Sequence, residues 1–284
     1  MYGDDYRPGP SVRDDYTPEN RVEEVQYAGS VPGPENRRMI VYLPKEYDSS
    51  EERYPVIYLL HGARGYETSW IRKGRVYQTT DSLWREGKAE KCIVVMPNVN
   101  QYCDQKDYDG GRFKNAFESI FEVNGVVESA FVNDVVHTVD SLYRTIPDRK
   151  HRAVAGLSIG GYQTIYLGAN HPEIFGYIGV MSPYMWALSR PNNYRRDFYG
   201  HLSAKMTEQF EAYPPEGFYL YAGEKDIMRP ATLKLHKKME KRGFPHTYTE
   251  YPGKHDWPDG WIDEYCDMLQ RIFKPEQPEQ NLQP

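Results

Sequence analysis

Residues 156–160 read Gly-Leu-Ser-Ile-Gly and are followed by a further glycine at 161, so a single hydroxyl stands between small neighbours. The spacing fits a nucleophile elbow, where a strand turns sharply into a helix and the turn pushes the serine Oγ into a cleft. "HRAVAGLS" before it is apolar enough for a buried strand, and residues 159–170 after it have helical spacing. Side chains at Gly156 and Gly160 would collide with the neighbouring strand and helix. At the start of that helix, the N–H of Ile159 and the positive end of the helix dipole point at any oxyanion forming beside Ser158. The chemistry is nucleophilic attack on a carbonyl carbon. The bare motif is equally a glycine-rich turn with a capping serine, so its partners decide.

A serine hydroxyl needs a base to take its proton and a carboxylate to hold that base in the right tautomer. On a strand-to-helix elbow these partners follow in chain order, acid then histidine. Of the downstream histidines, His171 ends the helix that Ser158 starts, about 18 Å away at 1.5 Å per residue. His201 and His236 fall in or near helices, and His246 begins a strand at the end opposite the cleft. His255, in "YPGKHDWPDGW", follows the last strand and precedes the last helix, and is the expected base. For the acid, "GFYLYAGEKDIMRP" offers Glu224 and Asp226 in the loop after a strand; Asp226 lies further out, where the chain turns back over the sheet, and is preferred. Asp256 reads as a surface or capping residue. The second oxyanion donor is expected from the loop after an earlier strand, "YLLHGARGYETSW", through the N–H of Ala63. His61 there reads as a structural histidine. Trp70, Trp186 and Trp257 fall in expected cleft-side loops, where core packing competes with a platform for a sugar or an aromatic acyl group.

These positions require strands that end on one side of a sheet. "RVEEVQYAGS" and "RRMIVYLP" read as an antiparallel hairpin at an edge. "PVIYLLHG", "KCIVVMPN", "HRAVAGLS", "FGYIGVMSP", "GFYLYAGE" and "HTYTEYPG" follow as strands, separated by helical stretches at 127–144, 159–170, 201–213, 228–243 and 257–273. Continuous apolar strands between amphipathic helices imply an α/β fold with a mainly parallel sheet covered on both faces, and functional loops at the strand carboxyl ends. The 284 residues fit one such domain, over 21–274. Residues 1–20, acidic and Pro-rich, read as a flexible lead-in, and residues 275–284 read as a flexible tail.

A formal charge of −6 gives no positive field for nucleic acid or an anionic membrane, and no apolar run approaches a membrane span. The start has neither the basic nor the apolar region of a secretion signal. Three cysteines, Cys92, Cys103 and Cys266, match no zinc or CxxC spacing and leave open whether Cys92 and Cys103 are bonded. Asp104, Asp107 and Asp109 precede Gly110 without the register of a calcium loop. No metal or cofactor is expected.

"YLLHG", "GLSIGGYQT", "HPEIFGYIGVMSP", "GEKD" and "GKHDWPDGW", in this order from about residue 21 to 273, resemble the esterase D-like group of α/β-hydrolases and specifically bacterial feruloyl esterases. The resemblance implies an α/β-hydrolase fold and a serine carboxylesterase acting through an acyl-enzyme on feruloyl groups of plant cell-wall polysaccharide. It implies Ser158 as nucleophile, Asp226 as acid, His255 as base, and Ala63 and Ile159 as oxyanion donors. The partner would be a small-molecule or polysaccharide-linked ester, with no nucleic acid or membrane. A secreted or periplasmic place fits this substrate, and a cytoplasmic one stays open. Acetyl xylan esterases and S-formylglutathione hydrolases belong to the same superfamily, and a non-catalytic carbohydrate-binding paralogue is the alternative from another class. In "HGARGYETSW", Ala and Arg stand where feruloyl esterases often have a more glycine-rich loop, a departure that touches acyl specificity.

Overall fold

The computed structural model describes residues 16–30, 36–63, 65–99, 131–184, 203–257 and 260–274. Eight strands form one sheet: β1 (Arg21–Ala28), β2 (Asn36–Leu43), β3 (Val56–Leu60), β4 (Ile93–Pro97), β5 (Arg152–Leu157), β6 (Tyr177–Met181), β7 (Gly217–Gly223) and β8 (Thr247–Tyr251). Their order across the sheet is β1-β2-β4-β3-β5-β6-β7-β8. The pairs β1/β2 and β2/β4 are antiparallel and all later pairs parallel, so the edge hairpin and the parallel body are as expected.

The unbroken apolar runs follow from burial on both faces of the sheet. In β3, Ile57 and Leu59 pack with Trp70, Trp84 and Tyr265, while Val56, Tyr58 and Leu60 pack on the other face with Phe131, Val139 and Phe175. The first face is covered by α1 (Ser69–Arg72), α2 (Val76–Arg85) and α7 (Trp261–Leu269). The opposite face is covered by α3 (His137–Leu142), entered through a π-helical turn at Phe131–Val136, and by α4 (Ile159–Asn170), α5 (Ser203–Ala212) and α6 (Arg229–Lys241). The sequence reading lacked α1 and α2. α4 buries ten of its twelve residues and so shows little amphipathic contrast: it lies beneath the sheet with α5 packed outside it.

Residues 16–20, expected as the end of a flexible lead-in, are held instead. The buried Asp81 carboxylate of α2 accepts hydrogen bonds from the Tyr16 and Tyr42 hydroxyls and the Asn20 amide, and from the Glu19 N–H at 3.1 Å. Residues 1–15 and 275–284 lie outside the described residues, as do Cys103 and residues 104–110. Cys92, just before β4, is buried.

Candidate active site

β5, β7 and β8 are parallel neighbours across β6, so their carboxyl ends open on one side, and each delivers one polar side chain there. After β5, Ser158 adopts φ 55° and ψ −115°, the strained corner of an elbow. Three backbone bonds hold it: its N–H donates to Met181 O at 2.9 Å, and its carbonyl accepts from Tyr184 N at 2.8 Å and from Tyr162 N at 3.1 Å. The glycines are a matter of space. A Cβ on Gly160 would stand 2.5 Å from His61 O, and one on Gly156 would stand 2.5 Å from Gly160 O. Only without these side chains can α4 start so close to β3 and β5.

The loop after β7 carries Asp226 and the loop after β8 carries His255. His255 Nε2 lies 2.9 Å from Ser158 Oγ, and Nδ1 lies 2.9 and 3.0 Å from the two oxygens of Asp226. The Met228 N–H also donates to Asp226 Oδ1, at 2.6 Å. Burial alone would raise the Asp226 pKa, but the His255 and Met228 bonds and the nearby Ser182 hydroxyl outweigh it and hold the carboxyl below its ordinary value. An ionised Asp226 fixes the Nδ1–H tautomer and leaves Nε2 free to accept the serine proton. Glu224, the other carboxylate of that loop, is exposed.

Ala63 and Ile159 line the same cavity as Ser158, so both expected oxyanion donors are brought to the nucleophile. Ile159 opens α4, where amide groups lack intrahelical partners. His61 is a support for this loop: its Nδ1 lies 2.8 Å from Gly62 O, and Val99 N–H donates to its Nε2 at 3.0 Å. With both nitrogens engaged and burial pushing its pKa down, it is neutral and holds the strand end in place.

The cavity measures about 360 Å³ and is lined by Trp257, Trp261, Tyr184, Ile227 and Met228 besides the polar groups. Of the expected platform residues, Trp257 is there, and Trp186 lies outside the described residues. Trp70 is a correction: it is fully buried under the site. Gly74 leaves room for the Trp257 ring, which a Cβ there would meet at 2.6 Å, so Trp257 takes the surface and Trp70 supports it edge-on, with ring centroids 5.2 Å apart. Trp261, which the sequence reading did not single out, packs edge-on against both Trp257 at 5.0 Å and the His255 ring at 5.1 Å. Its signal was the Trp that ends "HDWPDGW".

Behind the site, Glu264 of α7 is wholly buried, and its carboxyl oxygens find no hydrogen-bond partner among the described residues. Burial, with the negative charges of Asp226 and Asp263 adding to it, pushes this carboxyl well above its ordinary pKa. Among the described residues, no three His, Cys, Asp or Glu side chains are grouped to hold a metal ion.

An eight-stranded, mostly parallel sheet with an elbow serine, a histidine and a carboxylate at its strand ends defines an α/β-hydrolase esterase. The sequence profile of the putative esterase family matches residues 32–272, and the chain belongs to that family. It is 36% identical over 146 residues to an endo-1,4-beta-xylanase/feruloyl esterase of Xylanibacter ruminicola, covering 50% of this chain and 19% of that protein. It is 24% identical over 258 residues to an esterase of Mycobacterium tuberculosis, covering 76% of this chain and 51% of that one. The chain thus spans about half the length, or less, of these curated relatives. Among solved structures, a ferulic acid esterase superposes with a TM-score of 0.71 at 25% identity, covering 89% of this chain and 98% of that one. The ferulic acid esterase of Anaeromyces mucronatus shares the fold with a TM-score of 0.72 at 21% identity, covering 93% and 94% of the two chains.

Proposed function

We propose that this protein is a serine carboxylesterase that removes feruloyl groups from plant cell-wall polysaccharide through an acyl-enzyme. The observation that carries the reading is the unbroken relay from Asp226 through His255 to Ser158 Oγ, with both histidine nitrogens within 3.0 Å of their partners. His255 takes the Ser158 proton as Oγ attacks the ester carbon, and the N–H groups of Ala63 and Ile159 face the resulting oxyanion. The imidazolium then returns that proton to the departing alcohol. Water repeats the cycle on the acyl-enzyme and releases the acid.

The acyl preference rests on the aromatic wall of Trp257 and Trp261, on which a hydroxycinnamoyl ring finds edge and face contacts, and on the resemblance to feruloyl esterases. Aromatic pairs add about 0.5–1.5 kcal/mol beyond area burial, up to roughly tenfold in kcat/KM. With such a polymer as substrate, the place of action is outside the cytoplasm. Ser158→Ala tests the core of the reading: hydrolysis of methyl ferulate should fall by at least about 10³-fold with an unchanged circular dichroism spectrum. A variant that keeps a tenth of the wild-type rate would remove Ser158 as nucleophile. Comparing methyl ferulate with methyl acetate tests the acyl group, and a higher kcat/KM for the acetate would sink the feruloyl reading alone.

A further inference from the structure

The cavity mouth carries two opposite charges that the reaction does not use. Lys73, which caps the end of α1, and Asp256, beside the histidine, both line the cavity and are both exposed. The lysine side chain makes no ion pair or hydrogen bond among the described residues. Its backbone is fixed. The Lys73 N–H donates to Ser69 O at 3.0 Å, and the next residue, Gly74, is wedged so closely that a Cβ would lie 2.6 Å from both the Trp257 ring and Trp70 O. Asp256 is turned back on its own loop, its Oδ1 accepting the Trp257 N–H at 2.8 Å. Among the described residues, the remaining cavity walls beyond the triad are neutral.

An exposed ammonium at this mouth without a partner among the described residues, on a chain of net charge −6, offers an anion a favourable contact. Because Lys73 is exposed, it faces the part of a substrate that projects outwards rather than the acyl group deep in the cavity. We propose that Lys73 selects esters whose alcohol part carries a carboxylate, an acidic saccharide in particular, and that Asp256 opposes the same group. The proposal rests on the esterase reading above.

The test uses two ferulate esters made at the same hydroxyl of a methyl glucoside and of the matching methyl glucuronide, and reads the glucuronide-to-glucoside ratio of kcat/KM. Exposed ion pairs contribute about 0.2–1 kcal/mol, so Lys73→Met should lower the ratio by about 1.4- to fivefold and Lys73→Glu, which replaces attraction by a like repulsion, by about two- to thirtyfold. Lys73→Arg should keep it. Asp256→Asn should move it the other way, and 0.5 M NaCl should shrink every shift. A ratio unmoved by Lys73→Met and Lys73→Glu, or shifts that persist at high salt, would overturn the proposal while leaving the esterase standing. Failure of the wild type to cleave either ester would instead take down the feruloyl reading, and this inference with it.

Discussion

Replacing Asp226 by asparagine probes the site at its most enclosed point. The carboxylate side chain is fully buried, accepts the Met228 N–H at 2.6 Å and faces His255 Nδ1 through both oxygens. Asparagine keeps the volume but only one acceptor. The Met228 N–H holds that oxygen at the Oδ1 position, since a flipped amide would oppose donor to donor. The new NH2 group then stands about where Oδ2 was, 3.0 Å from Nδ1, and meets the Nδ1–H head-on. Moving the imidazole proton to Nε2 relieves the clash, but a protonated Nε2 cannot take the proton of Ser158. The contact that survives at Oδ1, 2.9 Å from Nδ1, opposes this switch in part. A kcat loss of about 10³- to 10⁴-fold follows, about 4–5.5 kcal/mol on the barrier, with KM little changed because Asp226 lines no part of the cavity. Initial rates on methyl ferulate, with a thermal melt for folding, measure it. Glu224→Gln, in the same loop but exposed, should stay within about twofold. Retention of a tenth of wild-type kcat by Asp226→Asn, or an equal loss in Glu224→Gln, would refute the reasoning.

Gly160→Ala should lower the melting temperature by about 5–10 °C, because its Cβ would meet two backbone oxygens, His61 O at 2.5 Å and Leu60 O at 2.6 Å, neither of which can rotate away. A melt within 1 °C of wild type would show the elbow to be looser than drawn. Glu264 should impose a pH-dependent cost on stability. In the unfolded chain this carboxyl ionises near its ordinary value of 4.5, while in the fold it keeps its proton far above that, so the unfolded state releases a proton first. Stability therefore falls as pH rises from about 4.5, at up to about 1.4 kcal/mol per pH unit for this group, until the folded carboxyl also ionises. Glu264→Gln should raise the melting temperature relative to wild type more at pH 8 than at pH 5. An equal difference at both values would show that Glu264 is not held neutral.

The polar centre was legible in the sequence because each of its members is set by local rules. A glycine-flanked serine between a buried strand and a helix, and a histidine and a carboxylate just past later strands, are placed by alternation and chain order alone. The walls obey no such rule. Trp70 follows a loop-like stretch, and only the space above Gly74 decides that Trp257 lies outside and Trp70 beneath it. α1 has four residues and is joined to α2 through Arg75 at φ 50°, too short and too bent for periodicity to show. Lys73, Tyr184 and Ile227 line the cavity through loop packing that no spacing encodes. The burial of Asp81 is set by Tyr16, Tyr42 and Asn20 arriving from far along the chain, which no local pattern announces.

The distances in sequence between the three partners have a consequence for when activity can arise. His255 stands 97 positions after Ser158 and 29 after Asp226, and each is held by a different strand of one parallel sheet. Parallel pairing between strands that lie apart in the chain is slow to form, because loop closure must precede the contacts that reward it. A chain leaving the ribosome therefore presents the elbow strand long before the strand that carries its base. Until β8 joins the sheet, Ser158 lacks its contact with His255, and the relay proposed for this site cannot operate while the interior is still open.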